Sequence, residues 1–425
     1  MKKSFMTYNL GCKVNAYELS AISSLLLEKG FVEDTNNPDV VIINTCSVTA
    51  TADQKSRQHI RKMQKMFPNA VIAVMGCYSQ GNYQFIKDEI KPDIVLGTSH
   101  RKDVIGLIEK ALSEKEKTCL VDENTRAFTY EELGITSYSE NVRAFLKIQD
   151  GCNNFCTYCI VPYRRGKMRS RNPENVIKEA KYLIEQGYQE IVLSGIHVGG
   201  YGQDLCDCSF SDLVDTLSSL PGLKSLRISS IEESEIDDKL IALIRNRDNL
   251  AKHLHIPLQA GSNHVLKLMN RKYNREQFIE KIKTIKSLVP DVMISSDVIV
   301  GFPQESEEDF KDTYNLCKEC FDMLHVFPYS LRPGTVAARM DGQISPEVKK
   351  QRSKELLELS DELYINFASR FIGQDVTVLV EKYDEEKGVN IGHTSNYLSV
   401  EIPLKESKVG QFITVKLQKD MILSK

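Results

Sequence analysis

The stretch GCNNFCTYC, residues 151–159, carries three thiols: Cys152, Cys156 and Cys159. Their spacing is C-x3-C-x2-C. They directly follow AFLKIQD (144–150), whose apolar pattern predicts a strand. A fourth thiolate would close a tetrahedral zinc site, whereas three leave one position open. By itself the spacing fits two readings. One is a zinc knuckle closed by a distant ligand such as Cys206, Cys208, Cys317 or Cys320. The other is an iron–sulfur cluster with one iron open to a substrate or cofactor, because thiolates suit both metals.

Working outward, AFLKIQD is the first of a series. EIVLSGIHVG, SLRISSIE, HLHIPLQAGS, VMISSDVIVGFP and MLHVFPYS follow, separated by amphipathic helices such as NPENVIKEAKYLIEQG and REQFIEKIKTIKSLVP. About six β/α units predict a partial (β/α) TIM-like barrel over 138–366, with its site at the C-terminal ends of the strands. The thiols then sit at the mouth of that barrel.

Residues 1–120 show a separate α/β alternation, the signature of a parallel sheet covered by helices. Three of its predicted strands, TYNLGC, VIINTC and AVMGC, end at Cys12, Cys46 and Cys77. In a parallel sheet all carboxyl ends lie on one edge, so thiols far apart in sequence can converge there. The other reading is three inert buried cysteines. Residues 115–143 read as a polar linker with a possible hairpin, and 368–425 as a small antiparallel barrel of short strands with Gly and Asn turns.

Bulk properties narrow the class. The chain has 425 residues, 55 Lys+Arg against 58 Asp+Glu, and 41% apolar content, so a nucleic-acid site must be a local patch. No run approaches the ~20 apolar residues of a membrane span, and the apolar run in MKKSFMTYNLGCKVN is far shorter than a signal peptide is expected to need. A cytoplasmic protein is expected, in which eleven cysteines stay reduced and metal or redox roles outrank disulfides.

A C-x3-C-x2-C after the first strand of a β/α series, with Tyr158 before its last cysteine, resembles the radical S-adenosylmethionine (SAM) superfamily. GCKVNAYE, NTCSVT and GCYSQ, with GCNNFCTYCIVPYRRGKMRSR, LSGIHVGGYG, RISSIE, HIPLQAGS, DVIVGFP and PYSLRPGT, resemble the methylthiotransferase family along the whole chain. The end of the chain resembles that family's RNA-binding TRAM domain. Two positions depart from the pattern: Ala260 where Ser is usual, and Gln304 where Gly is usual.

The resemblance implies two [4Fe–4S] clusters. One, on Cys152, Cys156 and Cys159, binds SAM and cleaves it to a 5′-deoxyadenosyl radical. The auxiliary one, on Cys12, Cys46 and Cys77, presents the sulfur for insertion into a C–H bond, and a second SAM donates the methyl group. The GCKVN start, rather than GCQMN or GCPKN, resembles the subgroup that acts on N6-threonylcarbamoyladenosine at position 37 of tRNA. Isopentenyladenosine-37 tRNA and a ribosomal-protein aspartate are the neighbouring substrates. A zinc-containing RNA-binding protein is the alternative from another class. The implied partners are a tRNA anticodon loop and an electron donor such as flavodoxin or ferredoxin. A monomer is expected.

By the same resemblance, Ser194 and Gly195 meet the methionine amino group of SAM. Arg227, Ser229 and Gln259 are candidates for its carboxylate or ribose. Ile299, Val300 and Gly301 are candidates for the adenine wall, and Tyr158 belongs to the cluster loop. For RNA, YRRGKMRSR places Arg164, Arg165, Lys167, Arg169 and Arg171 beside the reaction centre, where they could hold phosphates. Lys55, Arg57, Arg61, Lys62 and Lys65 follow Cys46 on a predicted helix, where a solvated charged face is an equal reading. From Ala368 onward eight basic residues meet eight acidic ones, so charge there does not mark RNA binding. Tyr383, His393, Tyr397 and Phe412 could stack on bases or fill a core.

Overall fold

VVIINT (Val40–Thr45) and VIAVMG (Val71–Gly76) are apolar along their whole length, the pattern of strands covered on both faces. In the computed structural model, which describes residues 2–134 and 142–423, they lie at the centre of the first sheet. Its strands are β1 (Ser4–Asn9), β2 (Val32–Glu33), β3 (Val40–Thr45), β4 (Val71–Gly76), β5 (Ile94–Leu96) and β6 (Thr118–Leu120). Their order is β2-β1-β3-β4-β5-β6, and every pairing is parallel. The strand β6 lies where a linker hairpin was expected, and it extends this sheet instead. Among the described residues it pairs only with β5. The expected start of the second domain, residue 138, lies outside the described residues.

The second series opens with β7 (Arg143–Lys147). A two-stranded antiparallel pair, β8 (Gln149–Asp150) and β9 (Arg169–Ser170), frames the cysteine loop. Then come β10 (Glu190–Ser194), β11 (Ser225–Ile228), β12 (His253–His255), β13 (Met293–Val300) and β14 (Met323–Pro328). β7, β10 and β11 form one parallel ladder, and β12, β13 and β14 another. Parallel bridges Leu226–Leu250 and Ser230–His255 join the two ladders. The result is six parallel strands in sequence order, open between β7 and β14: a partial barrel. Ala144, Leu146, Ile191, Leu193, Leu226 and Val298 pack outward against the helices. The period of two then turns Arg143, Phe145, Lys147, Arg227 and Asp297 into the lumen.

The first domain covers the open side. Its helix α1 (Lys13–Glu28) lies against β7. Tyr17 and Ala21 pack with Phe145, and Glu18 meets Lys147 at 2.8 Å. On the other flank, Arg332, beyond β14, reaches Asp53 at 2.9 Å and the Ser47 hydroxyl at 2.8 Å.

The final region holds β15 (Asp375–Asp384), β16 (Val389–Thr394), β17 (Ser399–Ile402) and β18 (Phe412–Lys416), antiparallel in the order β17-β16-β15-β18. The expected small barrel is not closed. Among the described residues β17 and β18 do not pair, and only a Val400–Ile422 bridge brings the chain end back to the far edge. Val378, Val380 and Val400 pack with Tyr364 and Phe367 of the long helix Pro346–Ser369, and with Met293 and Met323 at the starts of β13 and β14. This sheet therefore covers the N-terminal end of the barrel, opposite the cysteine loop.

Candidate active site

Cys46 and Cys77 stand immediately beyond the carboxyl ends of β3 and β4, and Cys12 three residues beyond that of β1, three adjacent strands. Cys12 caps α1, and Cys77 opens helix α3 (Cys77–Phe85). A buried amide clasp holds the loops together. Asn15 Nδ2 donates to Asn44 Oδ1 at 2.7 Å and to the Thr45 carbonyl at 3.1 Å, while Asn44 Nδ2 donates to the Asn15 carbonyl. Thr45 Oγ1 donates to the Met75 carbonyl at 2.6 Å. Gly76 is required here: its φ is +104°, and a Cβ would meet Asn44 Oδ1 at 2.3 Å. The thiols are close enough that their charges act on one another. Burial first, then those neighbours, pushes the Cys46 thiol up to about 11.

The second set is built locally. Gly151, at φ +73° with the Lys167 carbonyl against its α-carbon, starts the loop. Thr157 N donates to the Met269 carbonyl, Thr157 Oγ1 to the Leu268 carbonyl at 2.8 Å, and Asn270 Nδ2 to the Phe155 carbonyl at 3.1 Å. Cys159 is raised to about 12, by burial before the effect of Cys156 and Cys152.

Each set has a guanidinium aimed at one sulfur. Arg165 Nε lies 3.3 Å from Cys77 Sγ, and Arg271 Nη1 lies 3.5 Å from Cys156 Sγ. Arg271 is fixed in turn by Glu232. His197 pairs with Glu235 at 2.5 Å, and the charge of Cys152 acts on its ring. Burial opposes a charge on His197, yet those two partners raise it to about 10. Sequence reasoning did not single out Arg271 or His197. His197 stands in the motif LSGIHVGGYG, but the signal was one residue wide.

The two sites are joined by buried charges. Glu18 receives Arg165 at 2.7 Å, Lys147 at 2.8 Å and Arg101 at 2.9 Å. Asp150, next to the cysteine loop, receives Lys147 at 2.7 Å and Arg165 at 3.2 Å. Burial pushes the Glu18 carboxyl up, but Arg101, Arg165 and Lys147 outweigh it and hold the group well below the carboxylate range.

This network changes the reading of YRRGKMRSR. Arg165, Arg169 and Arg171 are buried, not spread along a phosphate-facing strip. Arg171 pairs with Glu132 at 2.7 Å and Glu179 at 2.8 Å. Arg169 donates to the carbonyls of Arg165 and Thr129. Lys167 is exposed, and half-buried Arg164 lies over Gly81. Lys55, Arg61, Lys62 and Lys65 are exposed on helix α2 (Ala50–Met66), and Arg57 is half-buried there.

The SAM candidates divide by position. Ser194 and Gly195 end β10 at the mouth. There Gln149 Oε1 accepts from Ile196 N at 3.0 Å and His197 N at 2.7 Å. Tyr158 and Ser229 are half-buried on the mouth side. Gln259, at φ +67°, pairs with β13, and Ile299 faces the lumen. Val300 alternates outward into the core, and Gly301 (φ +69°) donates to Glu305 at 2.6 Å. Arg227 is at the other end of the lumen. It pairs with Glu190 at 3.0 Å, and it donates to the carbonyls of Thr394 and Ser395 beneath the Tyr397 ring. The C-terminal aromatics share that interface: His393 is buried against Glu381 and Glu190, and Tyr397 stacks on His253 at 4.7 Å. Tyr383 donates to the Lys405 carbonyl, and Phe412 is exposed. Gln304, in place of the usual Gly, has φ +68°, which explains why Gly is usual there.

Comparison with known proteins completes the picture. A profile described as "Radical SAM superfamily" matches residues 146–317, and "Uncharacterized protein family UPF0004" matches 4–97. The threonylcarbamoyladenosine tRNA methylthiotransferase MtaB of Bacillus subtilis (strain 168) is 45% identical over 97% of this chain and 93% of its own. MtaB of Aquifex aeolicus is 37% identical over 89% and 93%. The tRNA-2-methylthio-N(6)-dimethylallyladenosine synthase of Thermoanaerobacter pseudethanolicus is 37% identical over 96% and 88%. Among solved structures, the radical SAM methyltransferase TsrM of Kitasatospora setae superposes with a TM-score of 0.58 at 13% identity, over 90% of this chain and 79% of that one, a likeness of fold.

Radical SAM methylthiotransferases use SAM and two [4Fe–4S] clusters, and the donor sets can be tested against that. Both offer sulfur, and each directs a cation at a sulfur, which suits thiolates carrying negative charge on an iron cluster. Among the described residues no three Cys, His, Asp or Glu side chains gather closely enough for a single metal ion. A cluster whose irons each take one thiolate needs a wider spacing. The zinc reading also lacks its fourth ligand among the four cysteines considered for it: Cys317 and Cys320 are buried in the outer core, Cys206 is on an exposed loop, and Cys208 packs against the core with its thiol on the Ser209 carbonyl. The two sulfur sites facing one barrel mouth and the full-length relatives lead to one conclusion: the chain belongs to the radical SAM methylthiotransferase family.

Proposed function

We propose that the protein converts N6-threonylcarbamoyladenosine at position 37 of tRNA to its 2-methylthio derivative. The observation that carries this reading is the 45% identity, over nearly the whole of both chains, to a relative named for that substrate. When bound, the clusters and SAM supply the radical, the sulfur and the methyl group. The chain's own residues position them. Cys152, Cys156 and Cys159 would hold the SAM-binding cluster, with Arg271 and His197 balancing its sulfur charge. Cys12, Cys46 and Cys77 would hold the auxiliary cluster, with Arg165 doing the same there. Ser194, Gly195, Ser229, Gln259 and Ile299 remain the proposed SAM contacts, while Arg227 and Val300 are spent on other packing. Phosphate contact falls to Lys167 and Arg164, with the exposed face of α2 beside them.

An anticodon loop suits this arrangement because its bases can be splayed out and read by side chains. A cytoplasmic monomer served by flavodoxin or ferredoxin completes the proposal. No helix among the described residues is long and apolar enough to cross a membrane. The test is a competition. The anaerobically reconstituted protein receives SAM, reductant and an equal mixture of tRNA bearing threonylcarbamoyladenosine-37 or dimethylallyladenosine-37. Mass spectrometry of the nucleosides should show methylthiolation of the first alone. Methylthiolation of the second alone would overturn the substrate and keep the chemistry.

A further inference from the structure

Segment 330–337, SLRPGTVA, leaves the end of β14 and touches residues beside both sets of thiols. At its start, Ser330 Oγ accepts from Ala50 N at 3.2 Å. The buried Arg332 then donates to Asp53 at 2.9 Å and to Ser47 Oγ at 2.8 Å. Ser47 follows Cys46, and its hydroxyl donates in turn to Asp53 at 2.9 Å. At the other end, Ala337 N donates at 2.9 Å to the carbonyl of Thr157, which lies between Cys156 and Cys159. Gly334 lies against Ile160, the residue after Cys159: a Cβ on Gly334 would be 3.5 Å from Ile160 Cδ1.

The segment is stiff. Pro333 fixes its own φ, Gly334 has φ +92°, and Thr335 N donates to the Arg332 carbonyl at 3.1 Å. Proline followed by a left-handed glycine inside such a bond is the pattern of a type II turn. Thr335 Oγ1 donates to the same carbonyl at 2.8 Å. Arginine suits the start of the segment because its planar fork takes Asp53 and Ser47 together, a geometry that a lysine ammonium does not reproduce. The Glu18 charges join the two domains on the β7 flank, and Arg332 joins them on the β14 flank. A domain held along one flank can rock about it; the second tie removes that freedom.

Resting on the proposed assignment of the six thiols, we infer that segment 330–337 is a strut that sets the spacing of the two cluster sites, with Arg332 as its positioning residue. A radical made at one site is productive only when the sulfur of the other is correctly placed, and a displacement of about 1 Å can cost about a hundredfold. Without Arg332 each site keeps its own thiols, but the spacing between them loosens. 5′-Deoxyadenosine is then released without methylthiolation.

The test compares reconstituted wild type, Arg332→Met, Arg332→Lys and Asp53→Asn, with the tRNA that wild type methylthiolates in the competition assay. In Arg332→Met the methylthio nucleoside formed per 5′-deoxyadenosine should fall by about tenfold to about a hundredfold, with about eight irons still bound. Pulsed electron paramagnetic resonance of the reduced protein reads the magnetic coupling between the clusters. It should show a broader spread of distances in Arg332→Met than in wild type. Arg332→Lys should recover part of the product ratio. Asp53→Asn, which keeps the size and removes the charge, should move both readouts in the same direction, and it decides the matter if Arg332→Met does not fold. A lower denaturation midpoint with unchanged ratio and unchanged distance spread would overturn the inference and leave Arg332 an ordinary interdomain ion pair. Loss of iron from a folded variant would overturn it too, because the segment would then be supporting a ligand loop rather than a spacing. About four irons in wild type would overturn the thiol assignment itself, and this inference with it.

Discussion

The two cysteine sets are assembled by opposite routes. Cys152, Cys156 and Cys159 come from one loop, so their geometry is written in local spacing and pinned by a few backbone contacts. Cys12, Cys46 and Cys77 come from three strand ends, and only the parallel pairing of β1, β3 and β4 brings them together. A loop site depends on its own turn chemistry. A strand-end site depends on a folded domain and on how that domain docks. Here docking runs through the buried carboxylates Glu18 and Asp150, which tie the auxiliary site to the barrel.

The sharpest way to break this comparison is by single thiols. Cys152→Ala should abolish both 5′-deoxyadenosine release and methylthiolation. Cys12→Ala should abolish methylthiolation alone, with 5′-deoxyadenosine still formed from SAM and reductant. Loss of both activities in folded Cys12→Ala protein would refute separate roles.

Next in size is the docking charge. Glu18→Ala would leave Arg101, Lys147 and Arg165 without their shared carboxylate, a loss of about 3–5 kcal/mol in denaturant unfolding. A loss under about 1 kcal/mol would mean that water or Asp150 replaces it. The same group sets an acid limit. Its folded pKa lies below its unfolded one, so its contribution is complete at neutral pH and is lost as pH falls below the unfolded value, about 4.3. Chemical denaturation midpoints should therefore drop from about pH 5 to about pH 2 in wild type, and less steeply in Glu18→Gln.

The smallest effects concern tRNA. Lys167→Ala should weaken binding and lower the slope of log affinity against log salt by about 1. Arg171→Ala should leave that slope unchanged and lower stability instead, because its partners are Glu132 and Glu179. A changed salt slope in Arg171→Ala would restore the phosphate-strip reading.

That contrast also shows what the sequence made legible. The loop thiols were visible from spacing, and the strand-end thiols from strand prediction combined with parallel topology. YRRGKMRSR was not: a basic run looks the same whether it faces phosphates or distant acids. Glu18, the acid that receives Arg165, lies 147 residues away, with no local trace of the pairing. The contacts of Arg227 were hidden for the same reason, because its partner sheet comes more than 160 residues later. Val300 turns into the outer core for a simpler one: in a strand only alternate residues face the lumen.

The central claim is that one chain carries two incomplete sulfur sites, each completed by its own cluster. Iron and acid-labile sulfide counted after anaerobic reconstitution test it most directly. The account predicts about eight irons per chain for two cubane clusters, falling to about four in a Cys12→Ala, Cys46→Ala, Cys77→Ala variant. About four irons in the unaltered chain would contradict it.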